Sequence, residues 1–309
     1  MHQLSQKLLT VLTLFALATL GLFSSTAHAQ EKLQVTATFS ILGDLVRFVG
    51  GERLVVHTLV GVDQDAHVFE PRPADAKTIL RSQLLVTNGL GFEPWAVKLA
   101  QSAGYKGEIL VASKGVKARH MAADKAHGSH AHESLDPHAW QNPLNVVFYV
   151  RNIAAALSKL DASGAAIYTS NAEAYVKELQ ALDAWTQQQL AAIAPSKRKV
   201  ITSHEAFGYF AAQYQVKFLA PQGINTDSEP SAKQVAQLIR QIQREKIRAV
   251  FVENMSNPQL LTQLSKDTGV KVGASLYSDA LSGANQPADT YLHMMKHNVT
   301  HLVAGMNLN

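Results

Sequence analysis

Short apolar runs alternate with longer stretches of helical spacing along most of this chain. LQVTATFS (33–40), RLVVHTLV (53–60), QLLVTNGL (83–90) and EILVAS (108–113) are rich in Val, Ile and Leu and read as buried strands. Helix-like spacing fills 73–82, 93–103 and about 144–159, with Pro94 at a helix-starting position. After residue 198 the pattern restarts with KVITS (199–203), VKFLA (216–220), AVFVE (249–253) and VKVGAS (270–275), again with helices between. Strands that alternate with helices predict βα units and parallel sheets. The expected fold is therefore α/β, with two (β/α) domains.

The connector between the halves is itself informative. From Ala162 to Ile193 there is no proline, and the only glycine is Gly164. Ala, Leu, Gln, Glu and Lys dominate, which predicts one helix of about 30 residues stopped by Pro195. A flexible hinge would be rich in Gly and Ser, so the two domains sit on one long rigid helix. Boundaries follow at 30–161 for the first domain, 162–194 for the strut and 195–309 for the second domain. Two domains on a stiff connector suggest a cleft with limited closure.

Residues 1–29 stand apart from this pattern. Lys7 precedes the apolar run LLTVLTLFALATLGLF, and small residues follow, ending in Ala27-His28-Ala29. That order predicts a signal peptide cleaved after Ala29 and a periplasmic protein beyond it. The run is shorter than the roughly 20 residues that cross a bilayer. No cysteine stands at the cleavage point, which argues against a lipid anchor there.

The remaining chain, about 280 residues, suffices for one large domain or two ordinary ones. It holds no cysteine, so disulfides are excluded and any metal site must use nitrogen and oxygen donors. The full chain's formal net charge of +4 falls to +3 without Lys7 and is spread over mixed acids and bases, which gives no footprint for a nucleic-acid partner.

In open α/β sheets, ligands bind beyond the carboxyl ends of the strands. His67 lies just past strand 53–60, His204 directly after 199–203, and Asp279 a few residues after 270–275. His138, in LDPHAWQNP before the helix at about 144–159, is the fourth candidate. Two come from each half, as a site in a cleft requires. Three imidazoles and one carboxylate would complete a tetrahedral Zn²⁺ shell, and nitrogen-rich donor sets suit Zn, Cu and Ni.

Five motifs, GVDQDAHVFEPRPAD, NGLGFEPW, LDPHAWQNP, TSHEAFGYF and LYSDALS, resemble those of the periplasmic zinc- and manganese-binding proteins of ABC importers, the cluster A-I or ZnuA-like family. The resemblance runs in order over nearly the whole chain beyond the leader. It implies two (β/α) domains joined by a long helix, a metal in the cleft, and His67, His138, His204 and Asp279 as ligands. It also implies a monomer that meets an inner-membrane permease and its ATPase, with a periplasmic zinc chaperone as a further partner. Manganese-type members tend to carry Glu where His204 stands, so the histidine favours Zn²⁺. Phe69 departs mildly from the tyrosine of many members.

His120, His127, His130 and His132 lie among Ala, Gly, Ser, Lys and Asp, a composition that cannot bury a core. Zinc-type members often have a histidine-rich loop here, and 120–132 reads as a low-affinity collector of metal. His293, His297 and His301 recur at four-residue spacing near the C-terminus, where solvated histidines are the expectation. The alternatives to zinc transport are Mn²⁺ as cargo, a metal-dependent adhesin and a secreted zinc hydrolase. The hydrolase reading fails on chemistry. His204-Glu205 begins an H-E-x-x-H motif, but position 208 is Gly, and four protein ligands leave no open coordination position. The chain reads as a binding protein rather than an enzyme.

Overall fold

The computed structural model describes residues 32–120, 135–224, 226 and 230–309. The leader, and His127, His130 and His132 of the histidine-rich segment, lie outside the described residues.

The first half is built on a parallel sheet. Strand β1 (Leu33–Phe39) runs into helix α1 (Ser40–Gly50), followed by β2 (Leu54–Val60), α2 (Pro73–Arg81), β3 (Leu84–Thr87), α3 (Pro94–Ser102) and β4 (Glu108–Val111). The strands lie in the order β2-β1-β3-β4, all parallel. This is the right place for the apolar runs: β1 and β3 are central, and Val35, Ala37, Leu84, Leu85 and Val86 are fully buried. Helix α1 closes one face with Ile41, Leu42, Leu45, Val46 and Val49, one apolar stripe at helical spacing. Two short strands, β5 (Arg119–His120) and β6 (Leu135–Asp136), pair antiparallel and bracket the histidine-rich segment.

Helix α4 (Pro143–Leu160) leads into the strut. Asn142 caps it, accepting from the Leu144 N–H at 3.0 Å, and Pro143 fills the first position, where no N–H is needed. The strut, α5 (Ala165–Ala191), has 27 residues. It differs from the expectation in its first turn: Ala162–Gly164 is 3₁₀, because Asp161 accepts the Gly164 N–H and closes a tighter ring. Asp161 also takes Arg53 at 2.8 Å and Tyr168 at 2.6 Å. Burial pushes its carboxyl up, but the Ser163 hydroxyl, with Tyr168, Arg53 and the Gly164 N–H, outweighs that and holds it below the usual range. Tyr168, Ala172, Tyr175, Leu179, Leu182, Thr186 and Leu190 bury one side of α5 along its length.

The second half is looser. Strand β7 (Lys199–Ile201), helix α6 (Gly208–Tyr214) and strand β8 (Lys217–Leu219) are followed by α7 (Ala232–Glu245), α8 (Gln259–Thr268) and α9 (Tyr291–Asn307). β7 and β8 pair in parallel. The two further strands expected at 249–253 and 270–275 are present only as extended segments joined by isolated parallel bridges, Ile201–Val250, Val250–Val272 and Glu253–Leu276. Backbone bonds still connect them, from the Phe251 N–H to the Ile201 carbonyl at 2.9 Å and from the Leu276 N–H to the Val252 carbonyl at 2.9 Å. Residues 33–309 form one compact unit, and one apolar cluster runs through it from Val35 to Met306. Among the described residues, no helix is long and apolar enough to cross a membrane.

Candidate metal centre

Each of the four candidates is delivered by a chain segment leaving a sheet. Beyond β2, the Asp65 carboxylate accepts the His67 N–H at 2.8 Å, which fixes the turn that presents the ring. Beyond β6, Asp136 Oδ1 accepts the His138 N–H at 3.0 Å and lies 2.9 Å from His138 Nδ1. Beyond β7, Glu253 Oε1 accepts the Ser203 and His204 N–H groups at 2.8 and 3.0 Å, and its Oε2 stands 2.5 Å from His204 Nδ1. Asp279 follows the bridge at Leu276. Its segment is pinned from the first half, where Trp140 Nε1 and Gln141 Nε2 donate to the Ser278 carbonyl at 2.8 and 2.7 Å.

These carboxylates decide the chemistry of the rings they touch. A carboxylate only accepts, so in the neutral ring Asp136 and Glu253 keep the hydrogen on Nδ1 and direct Nε2 inward as the ligating atom. Orientation of this kind accompanies metal-binding histidines. One ligating atom from each of His67, His138, His204 and Asp279 lies within 4.8 Å of all the others. The separations are 3.2 Å for His67 Nε2 to His138 Nε2, 3.4 Å for His67 Nε2 to Asp279 Oδ2, 3.7 Å for His138 Nε2 to Asp279 Oδ1, and 3.0 Å for His204 Nε2 to Asp279 Oδ2. A tetrahedron with bonds of 2.0–2.1 Å has edges of about 3.3 Å. With Asp279 Oδ2 as the oxygen ligand, the edges of 3.0, 3.2 and 3.4 Å bracket that length.

The charge balance points the same way. Asp136, Glu253 and Asp279 are all buried, whereas Arg119, 3.7 Å from Asp136, is partly exposed. Burial pushes Asp279 up, but the His204 and His138 imidazoles outweigh it and hold the carboxyl well below its usual range. Burial lowers His204, and Glu253 and Asp279 more than reverse that, holding it well above an ordinary imidazole. Both Asp279 oxygens and His204 Nε2 are buried without a hydrogen bond of good direction, whereas His204 Nδ1 pairs with Glu253. Polar atoms in that condition cost about 1–3 kcal/mol each unless something compensates them. A divalent cation would satisfy the donors facing the pocket and offset the excess negative charge. Phe92 sits edge-on to His67 at 4.6 Å and Trp140 to His138 at 5.3 Å, so the walls are apolar. A cavity of about 430 Å³, lined in part by Asp65, Ser203 and Thr226, flanks the cluster.

The structure thus brings together the four residues predicted from the sequence. His120 does not join them. It is exposed on β5, opposite Leu135. Asp136 and Glu253 were not anticipated, although both had a signal. Asp-x-His occurs twice, at Asp65-Ala66-His67 and Asp136-Pro137-His138, and Glu253 ends an apolar run just as His204 follows one. Gly208, where the protease motif breaks, has its own reason: a β-carbon there would overlap Asp136 Oδ2.

A buried three-imidazole, one-carboxylate shell at the ends of parallel strands defines a divalent-metal-binding protein. The chain belongs to the ZnuA family, zinc-uptake complex component A, periplasmic, whose model matches residues 35–305. These are metal-binding substrate components of ABC importers. Among its relatives, the manganese-binding lipoprotein MntA of Halalkalibacterium halodurans is 32% identical over 284 residues, covering 92% of each chain. The fold matches the periplasmic zinc-binding protein TroA of Treponema pallidum with a TM-score of 0.82 at 24% identity, over 89% of this chain and 99% of that one. It also matches an Mn-bound periplasmic metal-binding protein of candidatus Liberibacter asiaticus, with a TM-score of 0.78 at 29% identity over 89% and 100%.

Proposed function

We propose that this protein captures Zn²⁺ in the His67–His138–His204–Asp279 shell and delivers it to an ABC permease and its ATPase. The observation that carries this reading is the donor set: three buried imidazoles, two of them oriented by carboxylates, at separations suited to a tetrahedral ion. Residues 30–161 and 195–309 act as the two metal-facing domains on the 162–194 strut. The leader is removed after Ala29, and the protein works in the periplasm as a monomer. The histidine-rich segment gathers metal weakly, and a periplasmic zinc chaperone is a further partner of the protein.

Manganese is the second reading, and it has support of its own. Several relatives carry manganese in their names, MntA of Halalkalibacterium halodurans and PsaA of Streptococcus pneumoniae among them. Mn²⁺ prefers more oxygen than one carboxylate supplies, and Zn²⁺ exceeds Mn²⁺ at nearly any shared site. Metal analysis of protein purified without added salts separates the two. About one equivalent of zinc is expected; one equivalent of manganese with little zinc would overturn the zinc assignment and leave the shell intact.

A further inference from the structure

Helix α9 carries His293, His297 and His301 at intervals of one turn, a spacing that can chelate metal but for which the sequence favoured solvated side chains. The three line a surface depression of about 340 Å³ together with Pro287, Lys296 and Thr300, none of which borders the His67 cluster. The three histidines are not equivalent. His297 Nε2 lies 2.9 Å from the Ser275 carbonyl oxygen. A carbonyl only accepts, so Nε2 carries the hydrogen and Nδ1 keeps a free lone pair. A far nitrogen tied in this way to a backbone carbonyl is the usual setting of a metal-binding histidine. Tyr277 packs edge-on against the same ring at 5.2 Å and limits its rotation.

His301 lies one turn on, half-buried, with its ring centroid 4.4 Å from that of His297. Burial and the neighbouring His297 hold it below the ordinary imidazole range, so it is an uncharged donor at neutral pH. Two imidazoles four residues apart on one helix face can share a single ion, at about 2.0–2.1 Å from a nitrogen of each ring. His293 is turned away from this task. Its side chain is 61% exposed, and its Nδ1 lies 2.8 Å from Asp289 Oδ1. No third ligating atom converges on the pair among the described residues.

We propose that His297 and His301 form a second, weaker site for a nitrogen-preferring divalent cation of the Ni²⁺, Cu²⁺ and Zn²⁺ class, with water completing its shell. Lys296 on the same face adds an opposing charge and keeps the site weaker than the central one. Mn²⁺, which favours oxygen donors, is discriminated against.

The test is equilibrium dialysis of zinc-loaded protein against Ni²⁺, with zinc and nickel both counted. H297A/H301A should lose one nickel equivalent relative to wild type and keep its tightly held zinc, while H293A should keep both. Nickel bound to the histidine-rich segment contributes equally to all three proteins and cancels. Equal nickel in wild type and the double variant would overturn the proposal, as would an H293A loss as large as that of the double variant. If H297A/H301A does not fold, H301N replaces it and must lose the same equivalent. Zinc retention reads the central shell independently, so failure here and failure of the proposed transport site are distinguishable.

Discussion

Glu253→Gln probes the least obvious part of the metal centre, because it keeps the shape and changes one atom. Glu253 serves four partners: the Ser203 and His204 N–H groups on Oε1, and the Ser278 hydroxyl and His204 Nδ1 on Oε2. In the glutamine, the amide nitrogen would face His204 Nδ1. It can only donate, so Nδ1 must give up its hydrogen and Nε2 must carry one. Nε2 is the atom 3.0 Å from Asp279 Oδ2 and the one a metal needs bare. Flipping the amide restores the acceptor at Nδ1 but turns the NH₂ group onto two buried N–H donors. Either arrangement leaves buried donors unpaired, at about 1–3 kcal/mol each. Zinc affinity should therefore fall about 10–100-fold, the range for groups that orient a metal-binding histidine. The assay is a zinc competition titration against a chromophoric chelator at neutral pH, with metal-free thermal unfolding as the control for folding. A zinc affinity within about threefold of wild type would refute the tautomer argument, since it lies well below that range.

The remaining predictions concern the shell and its surroundings. Replacing His67, His138 or Asp279 by Ala should abolish tight zinc binding, whereas deleting about 120–132 should remove only weaker equivalents; one set of calorimetric titrations reads both. His204→Glu gives two histidines and two carboxylates, so Zn²⁺ binding should weaken and the zinc-over-manganese ratio narrow in competition titrations. An unchanged ratio would place His204 outside the shell. Zinc at a thousandfold excess over Kd should stabilise the folded protein by about 4 kcal/mol, visible as a raised Tm that a chelator reverses. The pH dependence has a definite sign. His204 is held above its ordinary value of 6.5 in the metal-free protein, so its proton stabilises that form at low pH, and the benefit is lost as pH rises through the folded value. Zinc must displace this proton, so affinity should rise by about tenfold per pH unit while His204 remains protonated. Chelator competition between mildly acidic and neutral pH measures the slope.

The first sheet was legible because its central strands are buried on both faces: β3 reads as consecutive Leu, Leu and Val, and β1 carries only the small hydroxyls of Thr36 and Thr38 between Val35, Ala37 and Phe39. The strut was legible for the opposite reason: nothing in 165–191 interrupts a helix. The second sheet was overestimated. VKVGAS has the composition of a buried strand, yet Lys271, Gly273 and Ser275 are exposed and Val270 and Val272 only partly covered. It lies at the edge, and its pairing reduces to single bridges. The shell could be read because strand ends are where α/β sheets present ligands. The carboxylates behind it could not, because composition does not reveal which acid reaches which ring: Glu253 stands 49 residues beyond His204 and meets it only when their two segments pair. The spacing of His297 and His301 was visible, but the tautomer of His297 was not, since it depends on a carbonyl 22 residues away.

Anomalous diffraction from crystals of the zinc-loaded protein, recorded on both sides of the zinc absorption edge, tests the central claim most directly. The account predicts one dominant peak in the cleft, at about 2.0–2.1 Å from Nε2 of His67, His138 and His204 and from an oxygen of Asp279. A dominant peak in the histidine-rich segment or on α9, with the four side chains left empty, would contradict it.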